Sequence, residues 1–184
     1  MMRKAAFLDR DGVINLDRGY VYRWEDFEFV PGAVDAMRRL EAAGYVLVVV
    51  TNQSGIARGL YSERDVEALG AKLSAHLERE NVHLAAIEYC PHLPEGTVPL
   101  YARTCDCRKP EPGMILRSAQ ALQIDLAASI LFGDKPSDIT AARRAGIGRQ
   151  VLLATDGEER DDIDGRPDYR CLSAAVEALL PPAR

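Results

Sequence analysis

Tyr45-Val46-Leu47-Val48-Val49-Val50-Thr51-Asn52 decides how the rest of the chain is read. Six apolar residues run without alternation and then give way to a hydroxyl and an amide. A half-buried strand alternates, so this run predicts a strand covered on both faces, as in a parallel sheet. Upstream, Val34, Met37 and Leu40 keep helical spacing, and Gly44 stands where that helix stops. Ala5–Leu8 reads as a first strand. Downstream, Ser62 with Glu63, Arg64 and Asp65 opens a helix whose apolar stripe is Val66, Leu69, Leu73 and Leu77. Leu84–Tyr89 reads as a third strand and residues 113–122 as a helix. Ser129–Phe132 is a fourth strand, and Pro136–Ala145 a helix ended by Gly146. Gln150–Leu153 is a fifth strand, and Ser173–Leu180 a short closing helix. This alternation predicts the α/β class, with a doubly wound, mostly parallel sheet and residues 1–184 as one domain.

Composition narrows the function. The 184 residues are 47% hydrophobic and 28% charged, ordinary for a globular chain. The formal charge of −5 is concentrated between Asp156 and Asp168, where seven acids face two arginines; the remainder is balanced. With no basic run, nucleic acid is not an expected partner. No apolar run approaches the ~20 residues of a membrane helix, and Met1–Arg10 has too short an apolar core for a signal peptide. A cytoplasmic protein with no membrane partner is expected, monomeric for want of a long heptad pattern. The acidic segment 156–168 reads as a solvated loop.

Parallel α/β sheets bind ligands outside the carboxyl ends of their strands. Asp9-Arg10-Asp11-Gly12 follows the first strand, Thr51-Asn52-Gln53-Ser54-Gly55 the second, and Gly133-Asp134-Lys135 the fourth. These three clusters should therefore meet in one crevice, and one chemistry would use Asp9, Asp11, Thr51, Lys109 and Asp134 together. Carboxylates crowded together repel unless a cation neutralises them, and hard oxygen ligands with water available suit Mg²⁺. Such a carboxylate can attack phosphorus to give an aspartyl-phosphate. A second acid two residues on can protonate the leaving alkoxide and later deprotonate water. The Thr51 hydroxyl and the Lys109 ammonium would hold the phosphoryl oxygens. Any one such aspartate is more often a cap or turn former; the joint arrangement is what carries information.

Phe7-Leu8-Asp9-Arg10-Asp11-Gly12-Val13, Thr51-Asn52, Lys109 and Gly133-Asp134-x-x-x-Asp138 resemble, in order, the four motifs of the haloacid dehalogenase superfamily. The resemblance spans nearly the whole chain. It implies Asp9 as nucleophile, Asp11 as general acid/base, and Mg²⁺ held by Asp9, Asp134 and the main-chain carbonyl of Asp11. An acid at Asp11 favours phosphoryl transfer over dehalogenation, which has no alkoxide to protonate. Asp138 is expected to support the site or the first turn of its helix.

Cys90-Pro91-His92 and Cys105-Asp106-Cys107 form two close pairs of soft ligands twelve residues apart. Cys90, His92, Cys105 and Cys107 fit a closed, structural Zn²⁺ site. The intervening Pro91, Pro94, Gly96 and Pro99 leave a segment with no core of its own, for which a metal supplies folding energy. Because this loop over residues 90–107 runs into Arg108-Lys109, ordering it should position Lys109. Cys171 reads as a core residue, and His76 and His83 as surface or structural ones. Too little chain separates Asp11 from Thr51 for an inserted cap domain, so an open crevice is expected. Tyr20, Tyr22, Trp24, Phe27 and Phe29 either wall it or pack at the sheet edge.

Within the superfamily, Arg18-Gly19-Tyr20-Val21, residues 51–59, residues 105–110 and Pro112-Gly113-Met114 resemble the heptose-bisphosphate phosphatase family. That resemblance implies loss of the 7-phosphate of a phosphorylated sugar during ADP-heptose synthesis for lipopolysaccharide. It implies substrate contacts by Asp17, Arg18, Gly19, Tyr20, Asn52, Gln53, Ser54, Arg108 and Lys135. A second phosphate needs a cation, for which Arg108, Lys135, Arg58 and Arg18 are candidates. Histidinol-phosphate phosphatases share Asp-x-Asp-Gly and the cysteine pairs, but the Thr-Asn-Gln-Ser-Gly and Arg-Gly-Tyr segments lean away from them. A non-catalytic zinc-binding module is the alternative from another class.

Overall fold

β1 (Ala5–Leu8) is wholly enclosed, and each of its four residues is fully buried. It lies at the centre of a five-stranded parallel sheet ordered β3-β2-β1-β4-β5. The other strands are β2 (Val46–Asn52), β3 (Leu84–Cys90), β4 (Ile130–Gly133) and β5 (Arg149–Leu152). The helices are α1 (Ala33–Ala42), α2 (Glu63–Arg79), α3 (Gly113–Leu122), α4 (Pro136–Ala145) and α5 (Leu172–Leu179). A computed structural model describes residues 2–154 and 168–180.

The helices divide between the two faces of the sheet, and the two-residue period of the strands shows how. Ala6, Leu8, Leu47 and Val49 point to one side, where Met37 and Leu40 of α1, Leu73 and Leu77 of α2 and Val176 of α5 cover them. Ala5, Phe7, Val48 and Val50 point to the other, against Met114 and Ile115 of α3 and Ala141 and Ala142 of α4. The unbroken apolar reading of residues 45–50 is thus explained by two covered faces. Ser62 caps α2 by accepting from the Asp65 N–H while the Asp65 side chain accepts from the Ser62 N–H.

Element boundaries differ from the periodicity by a residue or two for local reasons. β2 extends through Thr51 and Asn52 because these pair with Tyr89 and Cys90 of β3. β4 starts one residue late because the Ser129 hydroxyl, rather than its backbone, takes the Ala5 N–H at 2.9 Å. Among the described residues, no helix or strand lies between β3 and α3, and only the 3-10 turn Trp24–Asp26 lies between β1 and α1. No inserted cap is present in either place. Among those residues, no helix is long and apolar enough to cross a membrane. Except for Asp168, the acidic segment lies outside the described residues.

Candidate active site

The strand order places β2, β1 and β4 side by side, so their carboxyl ends open at one rim. Asp9 and Asp11 follow β1, Thr51 lies near the end of β2, and Asp134 follows β4. Lys109 reaches the same point from the loop before α3. Its ammonium has three protons and three close acceptors: Asp9 Oδ1 at 2.9 Å, Asp138 Oδ1 at 2.6 Å and the Val50 carbonyl at 2.7 Å. Asp9 Oδ1 also accepts from the Arg10 N–H at 2.8 Å. The second oxygen, Oδ2, takes no donor from the described residues.

Charge is crowded here. Carboxylate oxygens of Asp9, Asp134 and Asp138 lie within 4.8 Å of one another, all buried. Burial is the main force raising Asp9 above the ordinary carboxylate range; Lys109 opposes it and Asp138 adds to it. Asp134 is pushed up to about 8, first by burial and then by the charge of Asp9. Burial pulls Lys109 down, yet Asp138 and Asp9 outweigh it and raise the ammonium overall. Both oxygens of Asp134 are buried without a hydrogen-bond partner. Such orphaned acceptors, facing another carboxylate, suit a hard divalent cation. Gly12 makes the approach possible. A Cβ there would stand 2.4 Å from Asp134 Oδ2, and the φ of +88° suits glycine.

Asp11 is held from three directions. Arg10 donates to both of its oxygens at 2.9 Å, Asn15 to Oδ1 at 3.0 Å and Gln53 to Oδ2 at 3.0 Å. Arg10 is itself buried and donates to the Val21 carbonyl at 2.6 Å. Sequence reasoning missed Arg10, Asn15 and Tyr61 as parts of the site. Only Arg10 carried a signal, as the cation between two acids.

A cleft opens beside these groups, lined by Asp11, Asp17, Gly19, Tyr20, Asn52, Gln53, Ser54, Tyr61 and Lys135. Lys135 bridges to Asp17 at 3.3 Å. Asn52 also clamps the loop that carries the lysine. Its amide accepts from the Lys109 N–H and donates to the Lys109 carbonyl, both at 3.0 Å. Arg18 and Arg108 do not line the cleft. Arg18 pairs with Glu28, and Arg108 donates to the His92 carbonyl at 3.3 Å. Of the aromatic segment, Tyr20 lines the cleft and Tyr22 stacks on Tyr61. Trp24 instead stacks on Phe27, Phe27 meets Phe29 edge-on, and Phe29 stacks on His76 of α2.

Away from the cleft, Cys90, His92, Cys105 and Cys107 converge, with all three thiols free of disulfides. Their Sγ atoms lie 3.0–3.6 Å apart, and His92 Nδ1 is 3.3 Å from Cys107 Sγ and 3.6 Å from Cys90 Sγ. A tetrahedron with metal–sulfur bonds of ~2.3 Å has edges only slightly longer, so the donors fit zinc. Cys171 is half-buried at the edge of the core, and His83 is exposed against Glu41 at 2.9 Å.

Residues 106–176 match the HAD-hydrolase-like family model. A D-glycero-beta-D-manno-heptose-1,7-bisphosphate 7-phosphatase of Salmonella typhi is 50% identical over 165 residues, covering 90% of this chain and 88% of the relative. The protein of the same name in Escherichia coli K12 is 51% identical over 165 residues, covering 90% and 86%. The chain belongs to this heptose-bisphosphate phosphatase family. It is accordingly a phosphoric monoester hydrolase of the haloacid dehalogenase type. A solved relative, the D,D-heptose 1,7-bisphosphate phosphatase of B. bronchiseptica complexed with magnesium and phosphate, superimposes with a TM-score of 0.81. It is 33% identical, and the match covers 98% of this chain and 99% of that one.

Proposed function

We propose that this chain removes the 7-phosphate of D-glycero-D-manno-heptose 1,7-bisphosphate, with Asp9 as nucleophile and Mg²⁺ as cofactor. The observation that carries this reading is the polarised Asp9 carboxylate: Oδ1 is taken by Lys109 and the Arg10 N–H, and Oδ2 is left for attack. Oδ2 attacks phosphorus, the bond from phosphorus to the sugar's O7 breaks, and an aspartyl-phosphate forms. Asp11 delivers the proton that the departing alkoxide needs. It then takes a proton from the water that cleaves the acyl phosphate, which releases phosphate and restores Asp9. The Lys109 ammonium balances charge as it passes from Asp9 to the phosphoryl group, and Thr51 donates to a phosphoryl oxygen. Asp9, Asp134 and the main-chain carbonyl of Asp11 are the residues that would hold magnesium, which supplies neutralisation of the phosphate's charge.

Asp17, Gly19, Tyr20, Ser54 and Lys135 face the sugar in this reading, while Asn52 and Gln53 line the same cleft with their amides bonded to Lys109 and to Asp11 and Thr51. Arg18 and Arg108 reach the distal phosphate only by leaving Glu28 and the His92 carbonyl. The cysteine and histidine cluster holds a structural zinc, since four protein donors leave no open position. The reaction fits ADP-heptose formation for lipopolysaccharide. Phosphate release measured in parallel on heptose bisphosphate and histidinol phosphate tests the substrate. Higher kcat/KM on the heptose is expected, and the reverse order overturns the assignment. Asp9→Asn is expected to lose turnover while keeping its fold and zinc content; retained turnover removes Asp9 as nucleophile.

A further inference from the structure

Tyr61 lines the cleft yet has no part in the chemistry above. Its ring is 8% exposed and stacks on Tyr22, with centroids 4.9 Å apart and planes 18° from parallel. Gly55 forms the other wall, and a Cβ there would stand 2.2 Å from Tyr61 Cε1. The ring therefore occupies the space that a side chain at position 55 would need. Its hydroxyl lies 2.7 Å from Gln53 Oε1. Gln53 is 1% exposed, and its Nε2 serves both Asp11 Oδ2 at 3.0 Å and Thr51 Oγ1 at 2.9 Å.

Chemistry fixes the direction of every bond in this chain. Asp11 Oδ2 accepts from Gln53 Nε2 beside the donors Arg10 and Asn15, so the amide NH₂ of Gln53 faces it. The amide oxygen then faces Tyr61, whose hydroxyl must donate. Burial pushes that hydroxyl up to about 12, so it keeps its proton through the neutral range. Without the hydroxyl, the amide oxygen is left buried and unpaired, and the flipped amide would set oxygen against Asp11.

We propose that Tyr61 is a positioning residue: it locks the Gln53 amide so that Asp11 and Thr51 are held in one register for proton transfer and phosphoryl binding. The inference rests on Asp11 being the general acid. A structural role would slow all esters alike, whereas a positioning role is felt most where the leaving group needs a proton.

The test is Tyr61→Phe in the full chain with magnesium and zinc present, assayed for kcat/KM on glycerol phosphate and p-nitrophenyl phosphate. Glycerol phosphate leaves as an alkoxide that must be protonated; nitrophenolate leaves unaided. The expected result is a loss of about tenfold or more on the alkyl ester, part of the full range of acid catalysis, and a much smaller loss on the aryl ester. Gly55→Ala, which displaces the ring, should reproduce that selectivity and serves if Tyr61→Phe fails to fold. In a Gln53→Leu background the Tyr61 substitution should cost nothing further. Equal losses on both esters, unchanged kinetics, or additive effects with Gln53→Leu would overturn the proposal. So would a rise in KM confined to heptose bisphosphate, which would make Tyr61 a sugar contact. Glycerol phosphate carries no heptose, so a wrong heptose assignment leaves the test intact. Retained turnover in Asp9→Asn is a separate failure, that of the nucleophile.

Discussion

Lys109→Met keeps most of the side chain's volume and removes its charge. The ammonium is enclosed and satisfies two carboxylates and one carbonyl at 2.6–2.9 Å. Its loss leaves Asp9 and Asp138 as buried acids without their lysine, beside a third buried acid, Asp134. Breaking one partner out of a buried ion pair typically costs about 3–5 kcal/mol. Part of that is recovered as the acids take up protons, so a loss of about 3 kcal/mol is reasonable, or about 6–12 °C in Tm for a domain of this size. Activity should fall further than stability, because the charge that balances the transferring phosphoryl group is gone. A decrease in kcat of about 10²–10³-fold is expected. Scanning calorimetry and phosphate release at saturating magnesium measure the two effects on one preparation. Turnover within a few-fold of the parent protein, or an unchanged melt, would refute the claim that this lysine both neutralises the acids and serves the reaction.

Three other outcomes follow from the same geometry. With no magnesium, Asp134 has its carboxyl raised to about 8 in the folded chain, against ~3.9 when unfolded. The folded state therefore binds that proton more tightly, and stability should fall as pH rises between about 4 and 8 and level off above. Melts at several pH values should show this decline and its reduction by magnesium; a melt that rises across that window would contradict it. Gly12→Ala sets a Cβ 2.4 Å from Asp134 Oδ2, so a magnesium titration of activity should shift to higher concentration, and an unmoved midpoint would count against the metal site. Selective chelation of zinc, followed by mass spectrometry, should lower both Tm and kcat. The Arg108 N–H is bonded to Cys105 Sγ at 3.3 Å immediately before Lys109, so zinc loss with unaltered kinetics would separate the loop from the lysine.

The strands, the helices and the convergence of Asp9, Asp11, Thr51 and Asp134 were legible in the sequence for one reason, whereas Lys109, on a loop before α3, was placed by the motif resemblance. Strand periodicity and the parallel-sheet rule turn residue order into position at a known rim. The contacts that hold those groups were not legible. Arg10 stands between two acids in the sequence, but its burial depends on the Val21 carbonyl from a loop without periodicity. Asn52 was expected against substrate, but residues 105–110 form neither helix nor strand, and the Lys109 N–H and carbonyl need partners that only a neighbouring side chain provides. Tyr61 had no local signature at all. Its place depends on the missing side chain of Gly55 and on Tyr22, 39 positions earlier in the chain. The pair Cys-x-His and Cys-x-Cys was readable because ligand spacing is itself a local pattern.

β1 occupies the middle of the sheet, with two strands on one flank and two on the other. Opening the backbone that carries the nucleophile would mean unzipping ladders on both flanks and uncovering both hydrophobic layers at once. Amide protons of Phe7 and Leu8 should consequently exchange with solvent only through global unfolding, while those of β5 and α5 can escape through partial openings. The outer elements thus become the natural place for change. Repairs, truncations or stabilising substitutions there can retune lifetime and solubility without disturbing the geometry on which the chemistry depends.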